Sequence, residues 1–200
     1  MNAPNPLLTV ENLALSRGGQ QLFGAVAFAL APGGLLLLRG PNGAGKSSLL
    51  LALAGILRPD GGKIDWHAED PPPLHILAHS PGVKTRLSLA ENLQFWREVN
   101  GPTGAEPEAA LEIVGLGGLG DLDAGYLSAG QTKRLALARL LVTDRKLWLL
   151  DEPTASLDAK GDSLVASLIA RRLSTGGGVI AATHDDIAGA TATLTLGAAA

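Results

Sequence analysis

The chain contains no cysteine. This excludes disulfides and thiolate metal sites and fits a reducing compartment. No apolar run approaches the roughly 20 residues that cross a bilayer. Leu35–Leu38 and Leu147–Leu150 are too short for that, and they read as buried strands. Met1 to Pro6 has neither a basic region nor a long apolar stretch, so no secretory leader is expected. Positive charge is not in excess: 16 Lys and Arg stand against 19 Asp and Glu, a net charge of −3. That balance leaves no footprint for nucleic acid. No internal repeat is visible. Work at a membrane would therefore require binding something embedded there. What remains is a globular composition, 46% hydrophobic and 18% charged. At 200 residues it can build one domain with a sizeable core.

The most informative stretch is Gly40-Pro41-Asn42-Gly43-Ala44-Gly45-Lys46-Ser47, followed by Ser48. It fits the phosphate-binding pattern G-x-x-x-x-G-K-S/T at every fixed position. An apolar strand ending at Arg39 precedes it, and Lys46 to Leu57 is apolar at helical spacing. The loop thus opens a helix, where backbone N–H groups and the helix dipole favour an anion. Glycines let the backbone curl close to it. Lys46 would supply a point charge to the β- and γ-phosphates, and the Ser47 hydroxyl would ligate Mg²⁺.

Patterning around this loop predicts an α/β chain. Strands are expected at Leu7–Leu15, Val26–Leu30, Leu35–Arg39, Lys63–Trp66, Leu74–Ala78, Leu147–Leu150, Val179–Thr183 and Ala192–Leu196. Turns are expected at Gly18-Gly19 and at Pro59 to Gly62, and a loop at Pro71-Pro72-Pro73. Helical patterning covers Leu87 to about Val114, with breaks at Gly101-Pro102 and Pro107. It returns over Ala129–Leu141 and Leu164–Leu173. The two ends would build the core and a β layer, about 1–79 and 136–200. Residues of about 80–135 would form a mainly helical insert.

The strand Leu147–Leu150 runs into Asp151 and Glu152. In phosphate-loop enzymes an acid at such a strand end holds the Mg²⁺ shell, a role expected of Asp151. Glu152 would point to the γ-phosphate and act as general base on water. His184 ends another apolar strand and could stabilise charge developing on the γ-phosphate. Trp148 reads as core. Lys133, Arg134 and Arg139 read as a solvated helix face. Phe95 and Trp96 suit either a partner anchor or internal packing. His67, His75 and His79 do not form a haem-ligand set on this reading.

Leu127-Ser128-Ala129-Gly130-Gln131 precedes a helix, and Ser128 is a good N-cap for it. With the phosphate loop, the acidic strand, Ser156-Leu157-Asp158 and His184, in that order, this stretch resembles the motif set of ATP-binding-cassette ATPases, whose signature is usually LSGGQ. The resemblance implies a phosphate-loop (RecA-like) α/β core with an antiparallel β subdomain and a helical insert. It implies ATP and Mg²⁺ as ligands, and a homodimer closed on two nucleotides. There Ser128, Gly130 and Gln131 of one copy would face the γ-phosphate bound by the other. Asp158 would lie on a loop crossing that interface.

Leu77 to Leu93, containing His79-Ser80-Pro81-Gly82-Val83-Lys84-Thr85 and Glu91-Asn92-Leu93, is similar to the haem-exporter branch of that family, the CcmA type of cytochrome c maturation. Where most members have glutamine, this chain has His79, expected to contact the Mg²⁺ shell or the attacking water. A strand-end histidine without such contact is the other reading. Where many members stack an aromatic on adenine, it has Arg17, whose planar guanidinium could take that role or stay solvated. The resemblance implies a peripheral ATPase on the cytoplasmic face of the inner membrane. Its partners would be a CcmB-type permease with CcmC and CcmD, and its work the release of haem-loaded CcmE. Another exporter's ATPase and a soluble, non-transport member of the family are the alternatives.

Overall fold

The computed structural model describes residues 5–67 and 74–197. The expected loop at Pro71–Pro73 and the start of the chain, Met1 to Pro4, lie outside the described residues. In chain order the strands and helices are β1 Leu8–Arg17, β2 Gln20–Leu30, β3 Leu35–Arg39, α1 Lys46–Leu53, β4 Gly61–Trp66, β5 Leu74–Leu77, α2 Leu89–Asn100, α3 Pro107–Ile113, α4 Ala129–Ala138, β6 Leu147–Asp151, α5 Ala159–Ser174, β7 Gly178–Ala182 and β8 Ala192–Thr195.

Two sheets result. β2-β1-β4 is antiparallel, and β5-β6-β7-β3-β8 is parallel at every pairing. The strands β3, β6 and β7 are apolar almost throughout because both faces of the parallel sheet are covered. Side chains alternate between those faces. Leu36, Leu38, Leu149 and Ile180 pack with α1 and the antiparallel sheet, against Leu8, Leu13, Phe23, Leu49 and Leu53. Leu35, Leu37, Trp148, Leu150 and Val179 pack with the helical side, against Leu93, Leu111, Leu135 and Ile169. The helices of the middle segment therefore share one apolar layer with the sheet.

Three expectations about elements are corrected. Pro107 does not break a helix but opens α3 from its first turn, where its missing N–H is not needed. Helix α5 begins at Ala159 rather than Leu164, because the Asp158 carboxylate accepts from Gly161 N–H at 2.8 Å and caps it. Strand β2 reaches back to Gln20 as the outer arm of a hairpin whose register is shifted by bulges.

Candidate nucleotide site

Four adjacent strands of the parallel sheet, β5, β6, β7 and β3, end on the same side. Carboxyl ends of parallel strands are where α/β sheets hold ligands. His79 follows β5, Asp151 closes β6, His184 follows β7, and the phosphate loop follows β3. A cavity of about 600 Å³ gathers these groups. It is lined by Pro41 to Ser48, His79, Asp151, Glu152 and His184, with Arg17 and Leu22 from the β1–β2 hairpin.

The phosphate loop owes its shape to glycine. Gly45 has φ +94 and stands at the N-cap of α1, and a Cβ there would meet Phe23 at 2.9 Å. With no side-chain cap, the first N–H groups of α1 stay available to an anion. Lys46 is 8% exposed, and its ammonium donates to the carbonyls of Gly40 at 2.7 Å and Pro41 at 3.2 Å. The lysine is folded over the loop it belongs to.

Across the cavity, Asp151 is 5% exposed. Glu152 turns the chain out of the sheet with φ +45, its N–H donating to Ala182 carbonyl at 2.8 Å. Its carboxylate lies 3.7 Å from His184 Nε2, which is 3.3 Å from Asn42 Oδ1. The histidine thus bridges the phosphate loop and the acidic turn. Three further bonds brace its loop. Arg39 donates to Thr183 carbonyl at 3.0 Å and pairs with Asp186, and Thr154 donates to Asp185 at 2.7 Å.

A strand–loop–helix cradle beside an acidic strand end has the parts that a nucleoside triphosphate site requires. The ABC transporter family model matches residues 23–155. The cytochrome c biogenesis ATP-binding export protein CcmA of Mesorhizobium japonicum is 48% identical, over 88% of this chain and 91% of that protein. The CcmA protein of Rhodopseudomonas palustris is 43% identical, over 96% of this chain and 99% of its own length. The chain belongs to the CcmA family of ABC transporter ATP-binding proteins. Solved structures agree at the level of fold. An ABC transporter ATP-binding protein from Pyrococcus furiosus superimposes with a TM-score of 0.83 at 23% identity, covering 94% of this chain and 96% of its own. The cbiO1 protein of Clostridium perfringens, part of the cbiONQ transporter complex, gives 0.77 at 29% identity, over 96% and 85%.

This CcmA-family ATPase carries its other motifs in a second cluster. Ser128 caps α4 through a capping box, accepting from Gln131 N–H while Gln131 accepts from Ser128 N–H at 3.0 Å. Gly130 packs so closely on the backbone of Ser156 that a Cβ there would meet its carbonyl oxygen at 3.0 Å. Arg134 pairs with Asp158 at 3.2 Å. Ser128, Gly130, Gln131 and Asp158 are thus gathered together but do not line the cavity that holds Lys46 and Glu152. Gly40 also stays off the cavity wall; its φ of +133 and close approach to Leu196 make it the pivot of the loop.

The expectation of a solvated face at Lys133, Arg134 and Arg139 is overturned. Lys133 is 9% exposed and donates to Glu152 carbonyl at 2.7 Å. Burial lowers its pKa, while Asp151 and Glu152 act the other way. Arg139 covers the Trp96 ring at 4.1 Å and donates to Pro81 carbonyl, and burial lowers its pKa to about 10. Arg134 also bonds Val114 carbonyl. A signal for the burial of Lys133 was present, since it stands one turn before the buried Leu137 on α4. Trp96 packs on the helical-side core, and Phe95 meets it edge to face at 5.3 Å. Leu22 and Ala155 line the cavity without any motif to mark them.

Proposed function

We propose that the chain hydrolyses ATP at this cavity in a head-to-tail pair with a second copy, and that the stroke drives the cytochrome c maturation machinery. Family membership makes the chain an ABC transporter ATPase that works with permease components. Lys46, the N–H groups from Gly43 to Ser48 and the free N-terminus of α1 bind the β- and γ-phosphates, and Arg17 lies flat on the adenine. Glu152 orients and deprotonates the attacking water. Its proximity to His184, 3.7 Å, and the contact of His184 with Asn42 carry this reading. His184 donates to the transferring phosphoryl group as its charge grows.

Mg²⁺ fits the residues present. Ser47 hydroxyl and Asp151 carboxylate are hard oxygen donors in the same cavity. No cluster of three or more His, Asp or Glu among the described residues forms a full protein cage. An ion held by two protein oxygens and completed by water and phosphate oxygens suits that arrangement, with His79 reaching the water shell. Bound there, it would neutralise charge on the β- and γ-phosphates.

The signature cluster, standing apart from the phosphate cavity, supports completion in trans: Ser128, Gly130 and Gln131 of one copy would cap the nucleotide of the other, with Asp158 at the seam. The relatives named CcmA are export proteins of cytochrome c biogenesis. On that basis a CcmB-type permease with CcmC and CcmD is the membrane partner, and release of haem-loaded CcmE is the output. The chain would sit on the cytoplasmic face of the inner membrane. Among the described residues, no helix is long and apolar enough to cross it.

Glu152→Gln is the test. It should keep nucleotide binding and lose turnover by about a hundredfold or more, the scale of positioned general-base catalysis. Steady-state phosphate release equal to the parent's would remove Glu152 from this role.

A further inference from the structure

Lys133 occupies a position that packing alone would give to an apolar residue. Lys133 is itself only 9% exposed, and one turn on along α4 stands Leu137, 1% exposed. A buried ammonium is unfavourable unless it is hydrogen-bonded and charge-paired. Lys133 meets both demands at one point, the Glu152 turn. Its Nζ donates to Glu152 carbonyl at 2.7 Å, and Asp151 and Glu152 provide the opposing charge. On the other side, Ala182 carbonyl holds Glu152 N–H at 2.8 Å. Between these two clamps the residue keeps φ +45. A residue with a side chain holds that conformation only where its surroundings impose it.

We propose that Lys133 is a positioning residue for ATP turnover. Its ammonium fixes the Glu152 peptide and thereby aims the carboxylate at the water. Because Lys133 lies five residues after the Ser128 cap, that aim depends on the seating of α4. The signature helix and the base are then mechanically joined within one chain. This inference rests on Glu152 being the general base.

The experiment uses the full chain in its complex with the permease, purified from membranes. Lys133→Met keeps the length and apolar contacts of the side chain and removes the donor. Its kcat should fall about ten- to a hundredfold, the scale of a small misplacement at a reacting group, while KM stays within about twofold. Affinity for a fluorescent ATP analogue and the thermal midpoint should stay at parent values. Lys133→Arg, which can still donate to the carbonyl, should recover most of the lost kcat. A Lys133→Met kcat equal to the parent's overturns the proposal. So does a variant that loses nucleotide affinity and thermal stability in step with kcat and is not rescued by arginine. Glu152→Gln is measured alongside. If it turns over normally, the base reading itself fails; if it is dead while Lys133→Met is unimpaired, only the positioning role fails.

Discussion

His75 is 7% exposed on β5, with Nε2 3.0 Å from both the carbonyl and the hydroxyl of Thr143. Burial pushes its pKa down to about 4, against the opposing pull of the Thr143 carbonyl. The folded protein therefore binds this proton more weakly than the unfolded chain does. The contribution is intact above pH about 6.5 and is lost as pH falls towards 4, by up to about 3 kcal/mol. Urea midpoints measured across pH 4–7 should show that slope, and His75→Gln should lose this component of it. A slope unchanged by the substitution would mean that other groups carry it. Single residues also mark how far the sequence could be read. The phosphate loop from Pro41 onward, Asp151, Glu152, His184, His79 and Arg17 all line one cavity, and each was marked by a motif or by its place in one. The partners of Lys133 and Arg139 were not legible, even though spacing hinted that Lys133 is buried. A cation on a helix looks solvated until the partner that takes its charge is known, and Glu152 carbonyl and Trp96 belong to distant parts of the chain.

At the scale of elements, α2 shows why the stretch ending in Glu91-Asn92-Leu93 is shaped as it is. Ser88 and Glu91 form a capping box. Asn92, 1% exposed, accepts from Lys84 N–H at 2.8 Å and donates to the carbonyls of Lys84, Leu87 and Ser88 at 3.0, 3.2 and 2.9 Å. One amide thus ties down the turn that leads from the His79 loop into the helix. Asn92→Leu should cost about 2–3 kcal/mol, since buried backbone groups lose their partners. Ser88→Ala should cost about 1 kcal/mol as a lost cap. Chemical denaturation of the two variants checks the order, and equal losses would contradict it. Elements with strong periodicity were read correctly in type: β3, β6, β7 and α4. The misread boundaries have local causes. Lys160 to Ser163 offers no apolar side chain to reveal the first turn of α5, and Pro107 signals a helix start or a break equally well until its neighbours are seen.

At the scale of the molecule, the signature cluster of Ser128, Gly130, Gln131 and Asp158 does not line the phosphate cavity. A trans arrangement makes a specific prediction about mixtures. Lys46→Ala should be inactive because it cannot hold the phosphates, and Ser128→Arg because it blocks the partner's nucleotide. Mixed in equal amounts and reassembled, they should regain up to about a quarter of parent ATPase activity. Half the pairs are then hetero-pairs, and each of those has one intact site. A mixture as inactive as its components would argue against shared sites. The sequence could suggest this pairing only through family resemblance, because no periodicity or composition encodes which surface meets a twin. One further consequence comes from the continuous apolar layer beneath α2 to α5. Leu93, Leu111 and Leu135 belong to one apolar cluster with Leu35 and Leu37. Lifting the helices off would wet this layer, at about 25 cal/mol for every Å² exposed. Sliding them merely exchanges one oily neighbour for another. Any stroke these helices deliver is therefore easier as a short sideways slip than as a lift, and the Lys133 ammonium on the Glu152 carbonyl is the moored point about which it would swing.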